Sequence, residues 1–443
     1  ETLAHQNKAG GLMCTSCAWG KPAHPHVLEF CENGAKATIW DLTSDRCTPA
    51  FFAEHTVTEL LNWSDYHLEM QGRLTEPLRY DAATDKYVVC TWQEAFSSIG
   101  RELQGLDPKS AVFYVSGKAS LETSYLFGLF ARFYGHNNLP DSSNMCHETT
   151  SVGLKRVTGS SVGTCVLEDF DHCDAIFYFG QNPGSNSPRF LHPLQEAVKR
   201  GCKIIAFNPV REAGLVQFVD PQSPVEMLTG HSTQLCHMYL QVRPGGDIAA
   251  LMGLCKHVLA VDESRQVSGR AGVLDRDFIA QHTDGFELFA AMAQAADWAE
   301  IEAVSGLARA DLEEAADVYV TAERVIGVYG MGLTQHVHGT QCIGMFVNLL
   351  LLRGNIGRQG AGMSPVRGHS NVQGQRTVGI SEKPELVPLD KLAEMFEFEP
   401  PRDTGLTTVD ACQGILDGSV KGFVSLGGNF VRAIPEREAM EKA

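Results

Sequence analysis

Ala175-Ile-Phe-Tyr-Phe-Gly-Gln-Asn-Pro-Gly184, followed by Lys203-Ile-Ile-Ala-Phe207, is the stretch that decides the fold. Its first five residues are apolar throughout and rich in β-formers, the pattern of a strand buried on both faces. The run stops at Gly180 and breaks into a polar, glycine-bounded loop. Leu191, Leu194 and Val198 then recur at helical spacing and predict a helix over 190–199. Lys203–Phe207 reads as a second strand and ends at Asn208-Pro209. Strand, glycine loop, helix and strand make a βαβ unit.

The pattern repeats outward from there. Ala111-Val-Phe-Tyr-Val115 runs into Ser116-Gly-Lys118 and an amphipathic segment from Leu121. Val325-Ile-Gly-Val-Tyr329 runs into Gly330-Met-Gly332 and a helix predicted to reach Leu352. Phe423-Val-Ser-Leu426 ends at Gly427-Gly-Asn429. Strands alternating with helices predict an α/β protein with parallel sheets covered on both faces. Ligands of such sheets bind beyond the carboxyl ends of the strands, where backbone N–H groups and helix N-termini face phosphates. No loop is a full G-x-G-x-x-G, so a plain NAD site is poorly supported, and any single loop also reads as a tight turn. Several loops of one style point to one large, multiply phosphorylated ligand spread over two similar domains.

At 443 residues the chain suits two to four domains. A net charge of −17, from 36 basic and 53 acidic residues, argues against nucleic acid as a partner. No apolar run approaches a membrane span, and residues 346–352 read as a buried helix. With no signal peptide in view, the expected location is cytoplasmic. Thirteen cysteines, an odd number in a large chain, are not a disulfide framework. Cys90, Cys165, Cys202, Cys236, Cys255 and Cys342 lie in apolar stretches and read as small core hydrophobes. The first eighty residues have weak periodicity and many Cys, His, Trp and Pro. They read as a small irregular domain ordered by a metal. Residues 381–401, acidic and proline-rich, read as a surface excursion.

Four motifs carry chemistry. Cys14-Thr-Ser-Cys17 with Cys31 offers three thiolates, for zinc completed by His24 or His26, or for an iron–sulfur cluster. Ser143-Asn-Met-Cys-His-Glu148 places Cys146 beside His147; alone, the pair is an active thiolate, a protease-type nucleophile or an incidental neighbour. Pro365-Val-Arg-Gly-His-Ser-Asn-Val-Gln-Gly374 sets Arg367 and His369 among amides and glycines, a loop suited to a small anion or simply a satisfied polar loop. Arg243-Pro-Gly-Gly-Asp247 ends in a carboxylate fit to cap a helix or to read the N–H edge of a guanine.

Taken together, these residues resemble the molybdopterin oxidoreductase family, and within it formate-dehydrogenase-like alpha subunits of the bacterial acid-resistance type. The likeness runs from about Gly11 to the last residues, without the C-terminal dinucleotide-binding barrel of the family. It implies two molybdopterin guanine dinucleotides around molybdenum, or tungsten, and an N-terminal iron–sulfur cluster, 4Fe-4S rather than 3Fe-4S. The implied fold is Rossmann-like: doubly wound parallel sheets in two related domains, 81–142 with 371–443 and 143–370, plus a small Fe-S domain over 1–80. Cys146 then ligates the metal, His147 accepts or relays a proton, and Arg367 orients the substrate, with His369 where a glutamine is usual and Ser370 where an asparagine is. Gly180, Asn182, Pro183 and Ser187 would touch one dinucleotide, with Asn208, Arg211 and Asp247 near its guanosine. Gly330, Met331, Gly332, Gln335, Gly427, Gly428 and Asn429 would line the second. Cys14, Cys17 and Cys31 would hold the cluster. Lys21 stands where another cysteine is usual, Asn33 where a lysine bridges cluster and pterin, and Lys36 compensates for the latter. The implied activity is two-electron oxidation of formate, with electrons passed to an external acceptor protein or subunit. The alternatives are another small oxyanion or oxo substrate, or a non-catalytic Fe-S assembly or sensor subunit.

Overall fold

The Ala175–Phe179 strand is the middle of a five-stranded, all-parallel sheet in the order Cys236–Leu240, Lys203–Phe207, Ala175–Phe179, Val325–Tyr329, Gly362–Pro365. Alternate residues face opposite sides. Phe177, Phe179, Ile205, Phe207 and Tyr329 join one apolar core with residues of the Asp247–Val267, Arg309–Thr321 and Gly339–Leu351 helices. Ile176, Tyr178, Ile204, Ala206, Ile326 and Val328 join a second core with Leu191, Leu194 and Ala197 of the Leu191–Lys199 helix. Burial on both faces is why these strands are unbroken apolar runs. The chain lays strands to one side of Ala175–Phe179, then returns to add Val325–Tyr329 on the other, so the order reverses between those two.

A computed structural model describes residues 2–8, 10–12, 14–18 and 30–443. The chain divides into two compact units: Ser16–Cys31 with Ser143–Ser370, which holds this sheet, and Glu1–Thr15 with Glu32–Ser142 and Asn371–Ala443. In the latter unit Ala111–Val115 pairs in parallel with Gly422–Leu426, joining residues far apart in the chain. The Trp92–Gly105 helix opens with a Thr91/Glu94 capping box, and the Leu121–Tyr134 helix is capped by Ser120 and stopped by Gly135 at φ +119°. Leu103, Phe113, Ala131, Leu139 and Ile380 form the core beneath them. Nearer the N-terminus, short helices and the Leu78–Asp81/Lys86–Val89 hairpin surround a small cluster of Cys47, Phe52 and Leu60.

Three sequence expectations change. The helix drawn to Leu352 is broken into Met331–Thr334 and Gly339–Leu351. Residues 381–401 do reach the surface, with Leu386 and Met395 exposed, but they also fold: Val387, Leu389 and Leu392 are buried and Leu389–Phe396 is a helix. Flanking prolines and acids hid that short apolar face. Residues 346–352 are a buried helical segment as expected, and no helix among the described residues is long and apolar enough to cross a membrane. Cys202, Cys236, Cys255 and Cys342 are buried, whereas Cys90 and Cys165 are only half-buried.

Candidate functional site

Where strand order reverses in a parallel sheet, ligands bind beyond the carboxyl ends of the two neighbouring strands, at the loops that leave them. Here those loops are Gly180–Gly184 and Gly330–Gly332. Gly180 has φ +57°, a left-handed conformation open to glycine. The Gly330 N–H donates to Phe179 O at 3.1 Å and the Gly332 N–H to Gly180 O at 2.9 Å. A Cβ on Gly332 would lie 2.6 Å from Gly180 Cα, and one on Gly214 would lie 2.7 Å from Gly184 Cα. These glycines let one loop backbone lie on another, a use distinct from admitting a ligand.

Cys146 and His147 follow the short Ser142–Met145 helix and precede the Glu148–Thr158 helix. The Cys146 Sγ lies 3.4 Å from Met331 Sδ, and a Cβ on Gly368 would lie 3.4 Å from the same sulfur. One half-buried thiol thus meets both the Gly330–Gly332 loop and the loop carrying Arg367. Gln335 Nε2 donates to Met145 O at 2.9 Å and braces this corner. His147 is fully buried; its Nε2 is 2.8 Å from Val366 O and its Nδ1 2.8 Å from Thr150 Oγ1. Tyr329 donates its hydroxyl to Thr150 Oγ1 at 3.0 Å. Burial first, then the Arg367 charge, push the His147 pKa down to about 4 against the pull of the Val366 carbonyl. Arg367 is half-buried, with Nη2 3.4 Å from Ser161 O, and the Ala18 N–H donates to Gly368 O at 2.7 Å.

After Ala175–Phe179 and after Lys203–Phe207, Gln181, Asn182, Ser187, Asn208 and Glu212 are joined by hydrogen bonds. Asn182 caps a short helix begun by Pro183, accepting from Ser185 N and donating to Glu212 Oε2 at 2.8 Å. Buried Asn208 donates to Gln181 O at 3.0 Å, buried Ser187 accepts from Gln181, and Arg211 lies over the Tyr239 ring at 5.6 Å. Asp247 opens its helix at the first turn without capping it, and burial pushes its pKa up to about 6.

Lys36, exposed on the Glu32–Asp41 helix, and Gly427, Gly428 and Asn429 belong to the other unit, as does Cys14. Cys17 and Cys31 belong to the sheet-bearing unit, where Arg189 Nη1 and Gln222 Nε2 both donate to Phe30 O, at 2.7 and 2.9 Å, one residue before buried Cys31. Lys21, His24 and His26 lie outside the described residues. Among the described residues no three Cys, His, Asp or Glu side chains gather as a metal-holding group. The thiols of Cys14, Cys17 and Cys31 are of the kind that ligate iron–sulfur clusters. The corner around Cys146 does suit a pterin-bound soft metal. It offers a half-buried thiol between glycine loops, and two residues past Gly368 the buried Ser370 Oγ makes no hydrogen bond among the described residues. Sequence reading missed Thr150, Arg189 and Gln222. For Thr150 a signal existed, its i, i+3 spacing from His147 on a helix; for the clamp on Phe30 there was none.

Residues 73–433 match the family model described as Molybdopterin oxidoreductase. Protein YdeP of Escherichia coli (strain K12) is 49% identical over 434 residues, which are 98% of this chain and 57% of that protein. The F420-dependent formate dehydrogenase subunit alpha of Methanocaldococcus jannaschii is 27% identical over 388 residues, covering 86% of this chain and 53% of that one. Among solved structures, the acetylene hydratase from Pelobacter acetylenicus matches with a TM-score of 0.59 at 16% identity, over 83% of this chain and 51% of that one, a likeness of fold alone. The chain belongs to the molybdopterin oxidoreductase family, which implies a molybdenum or tungsten pterin cofactor. It spans little more than half the length of these relatives.

Proposed function

We propose that this chain is the cofactor-cradling part of a formate-oxidising enzyme, with Cys146 as the thiolate ligand of the metal and Arg367 as the group that grips the substrate carboxylate. The observation that carries this reading is the convergence of the Gly330–Gly332 loop and the Arg367-bearing loop on the single Cys146 sulfur, beyond the strand ends where strand order reverses. The relative named formate dehydrogenase supports the substrate. When bound, the pterin-held metal would supply two-electron redox chemistry. The chain's own contribution is to bind and orient. Arg367 would take a small carboxylate in a two-pronged hydrogen bond, and His369 and Ser370 would shape the floor beneath it.

The bis-guanine-dinucleotide form of the cofactor belongs to the same proposal, with Gly180, Asn182, Pro183, Ser187, Asn208, Arg211 and Asp247 on one dinucleotide. Gly330, Met331, Gly332, Gln335 and Gly427–Asn429 would serve the other. So do an iron–sulfur cluster on Cys14, Cys17 and Cys31 with Lys36 beside it, an outside electron acceptor, a cytoplasmic site of action, the Rossmann-like character of both units and the division at 80, 142 and 370. His369 and Ser370, which stand where the resemblance expects glutamine and asparagine, favour a second reading: another small oxyanion or oxo substrate at the same site.

Elemental analysis of the purified protein, with turnover of formate, nitrate and sulfoxides on artificial electron carriers, tests all of this. Molybdenum or tungsten near one per chain with formate turnover is the expected result. Iron without either metal would replace the enzyme by a scaffold or sensor. Arg367→Ala should raise the formate KM at least tenfold with a smaller change in kcat, and an unchanged KM would remove Arg367 from the substrate.

A further inference from the structure

Resting on that reading of the site, we propose that His147 is a positioning strut that sets where Arg367 stands relative to the Cys146 thiol, in place of the proton-relay role its neighbour suggests. The hydrogen bonds assign every atom. Val366 O can only accept, so Nε2 carries the N–H that points at it. Tyr329 donates to Thr150 Oγ1, which leaves the Thr150 proton for Nδ1. The ring therefore holds one fixed tautomer, with both nitrogens engaged inside the protein and no surface exposed.

What the ring joins gives it a purpose. On one side it follows Cys146 directly. On the other it holds the carbonyl that directly precedes Arg367, across a separation of 219 residues. Through Thr150 it reaches Tyr329, the last residue of its strand, after which come Gly330 and Met331, and Met331 touches the Cys146 sulfur. The Glu148–Thr158 helix, the strand end and the Arg367 loop thus meet on one imidazole. A ring so occupied holds three backbones in register; to take a proton from a substrate it would have to give up one of those bonds.

The test compares three variants and one spectrum. In parent protein labelled with ¹⁵N-histidine, the signal lost in His147→Gln should show the neutral, Nε2-protonated pattern; Nδ1 protonation or a rapidly exchanging ring overturns the strut. His147→Gln keeps a donor toward Val366 but no titratable nitrogen. It should lower kcat less than tenfold and leave the formate KM within threefold, while His147→Leu should worsen both by more than a hundredfold. Thr150→Val, with the ring intact, should weaken formate binding in the same direction as His147→Leu but less. A relay predicts the reverse: a fall in kcat of about 10²–10⁴ in the glutamine variant at constant KM, which overturns the proposal. Should His147→Gln not fold, the Thr150→Val variant decides, because it both reports formate binding and identifies the His147 signal as the one whose Nδ1 shift moves when the Thr150 hydroxyl is removed. Parent protein that turns over no formate yet shows the fixed tautomer refutes the substrate and leaves the strut standing.

Discussion

Adding one methyl group at Gly332 should pull apart the two loops on which the candidate site is built. The new Cβ would lie 2.6 Å from Gly180 Cα and 3.0 Å from Gly180 O. Ordinary contact begins near 3.4 Å, and the obstacle is backbone, which cannot rotate away. Overpacking of this kind costs about 1–3 kcal/mol. The Gly332 N–H to Gly180 O bond would be lost with it, a further ~1 kcal/mol. A total near 3 kcal/mol should lower the melting temperature of the sheet-bearing unit by about 6–12 °C, at roughly 2–4 °C per kcal/mol for a unit of this size. Two controls separate this from generic effects of replacing glycine. Gly159 has φ +76° and nothing within 4 Å of an added Cβ, so Gly159→Ala should cost only the left-handed strain, about 1–2 kcal/mol. Gly344 lies within the Gly339–Leu351 helix with only Val157 Cγ1 at 3.4 Å, so Gly344→Ala should gain up to about 1 kcal/mol. Scanning calorimetry should rank Gly344→Ala above parent, then Gly159→Ala, then Gly332→Ala. Peptide-resolved alkylation should also find Cys146 more reactive in Gly332→Ala, because Met331 moves with the loop. A Gly332→Ala protein as stable as Gly159→Ala would refute the loop-on-loop account of the site.

Asp247 is buried and its pKa is pushed up to about 6, above the ~3.9 of an unfolded aspartate, so its protonated form stabilises the fold below about pH 4 and that contribution is lost as pH rises through 6. The difference amounts to roughly 3 kcal/mol, so Asp247→Asn should gain on the parent between pH 4 and 7.5; parallel melting curves at both pH values would contradict this. Arg353 donates to Val273 O at 3.0 Å, to Tyr319 O at 2.6 Å and to Ala322 O. Arg353→Met should cost about 3 kcal/mol by circular dichroism, and Arg353→Lys should not restore it, since one ammonium cannot fork to three carbonyls.

The sheet was legible because burial on both faces leaves a strong mark, an apolar run with no alternation, ending at glycine. Val325–Tyr329 and Ala175–Phe179 were therefore visible as strands, but nothing local says they pair, since pairing is a property of topology. The glycines of the loops were visible, though Gly332 spends its missing Cβ on Gly180. The Cys146-His147 pair was visible as chemistry while its partners were not: Val366 and Tyr329 enter only through folding, and neither residue type advertises a hydrogen bond to an imidazole. The helix within residues 381–401 was missed because a two-turn apolar face is too short to stand out among prolines and acids.

The return of the chain to Ala175–Phe179 has a consequence for its synthesis. Asp174, at the foot of that strand, bonds Arg324, at the foot of the partner strand, across 150 residues. At about 5–20 residues per second, a ribosome needs roughly 8–30 s to cover that distance. For that interval Ala-Ile-Phe-Tyr-Phe presents an unpaired apolar edge, the kind of segment that aggregates when left waiting. The meeting of Met331 and Gly368 on the Cys146 sulfur cannot form until residues 331 and 368 have emerged, so any cofactor meant for that corner must be loaded after translation of this region, and a nascent chain held by a chaperone through that delay would be both protected and ready to receive it.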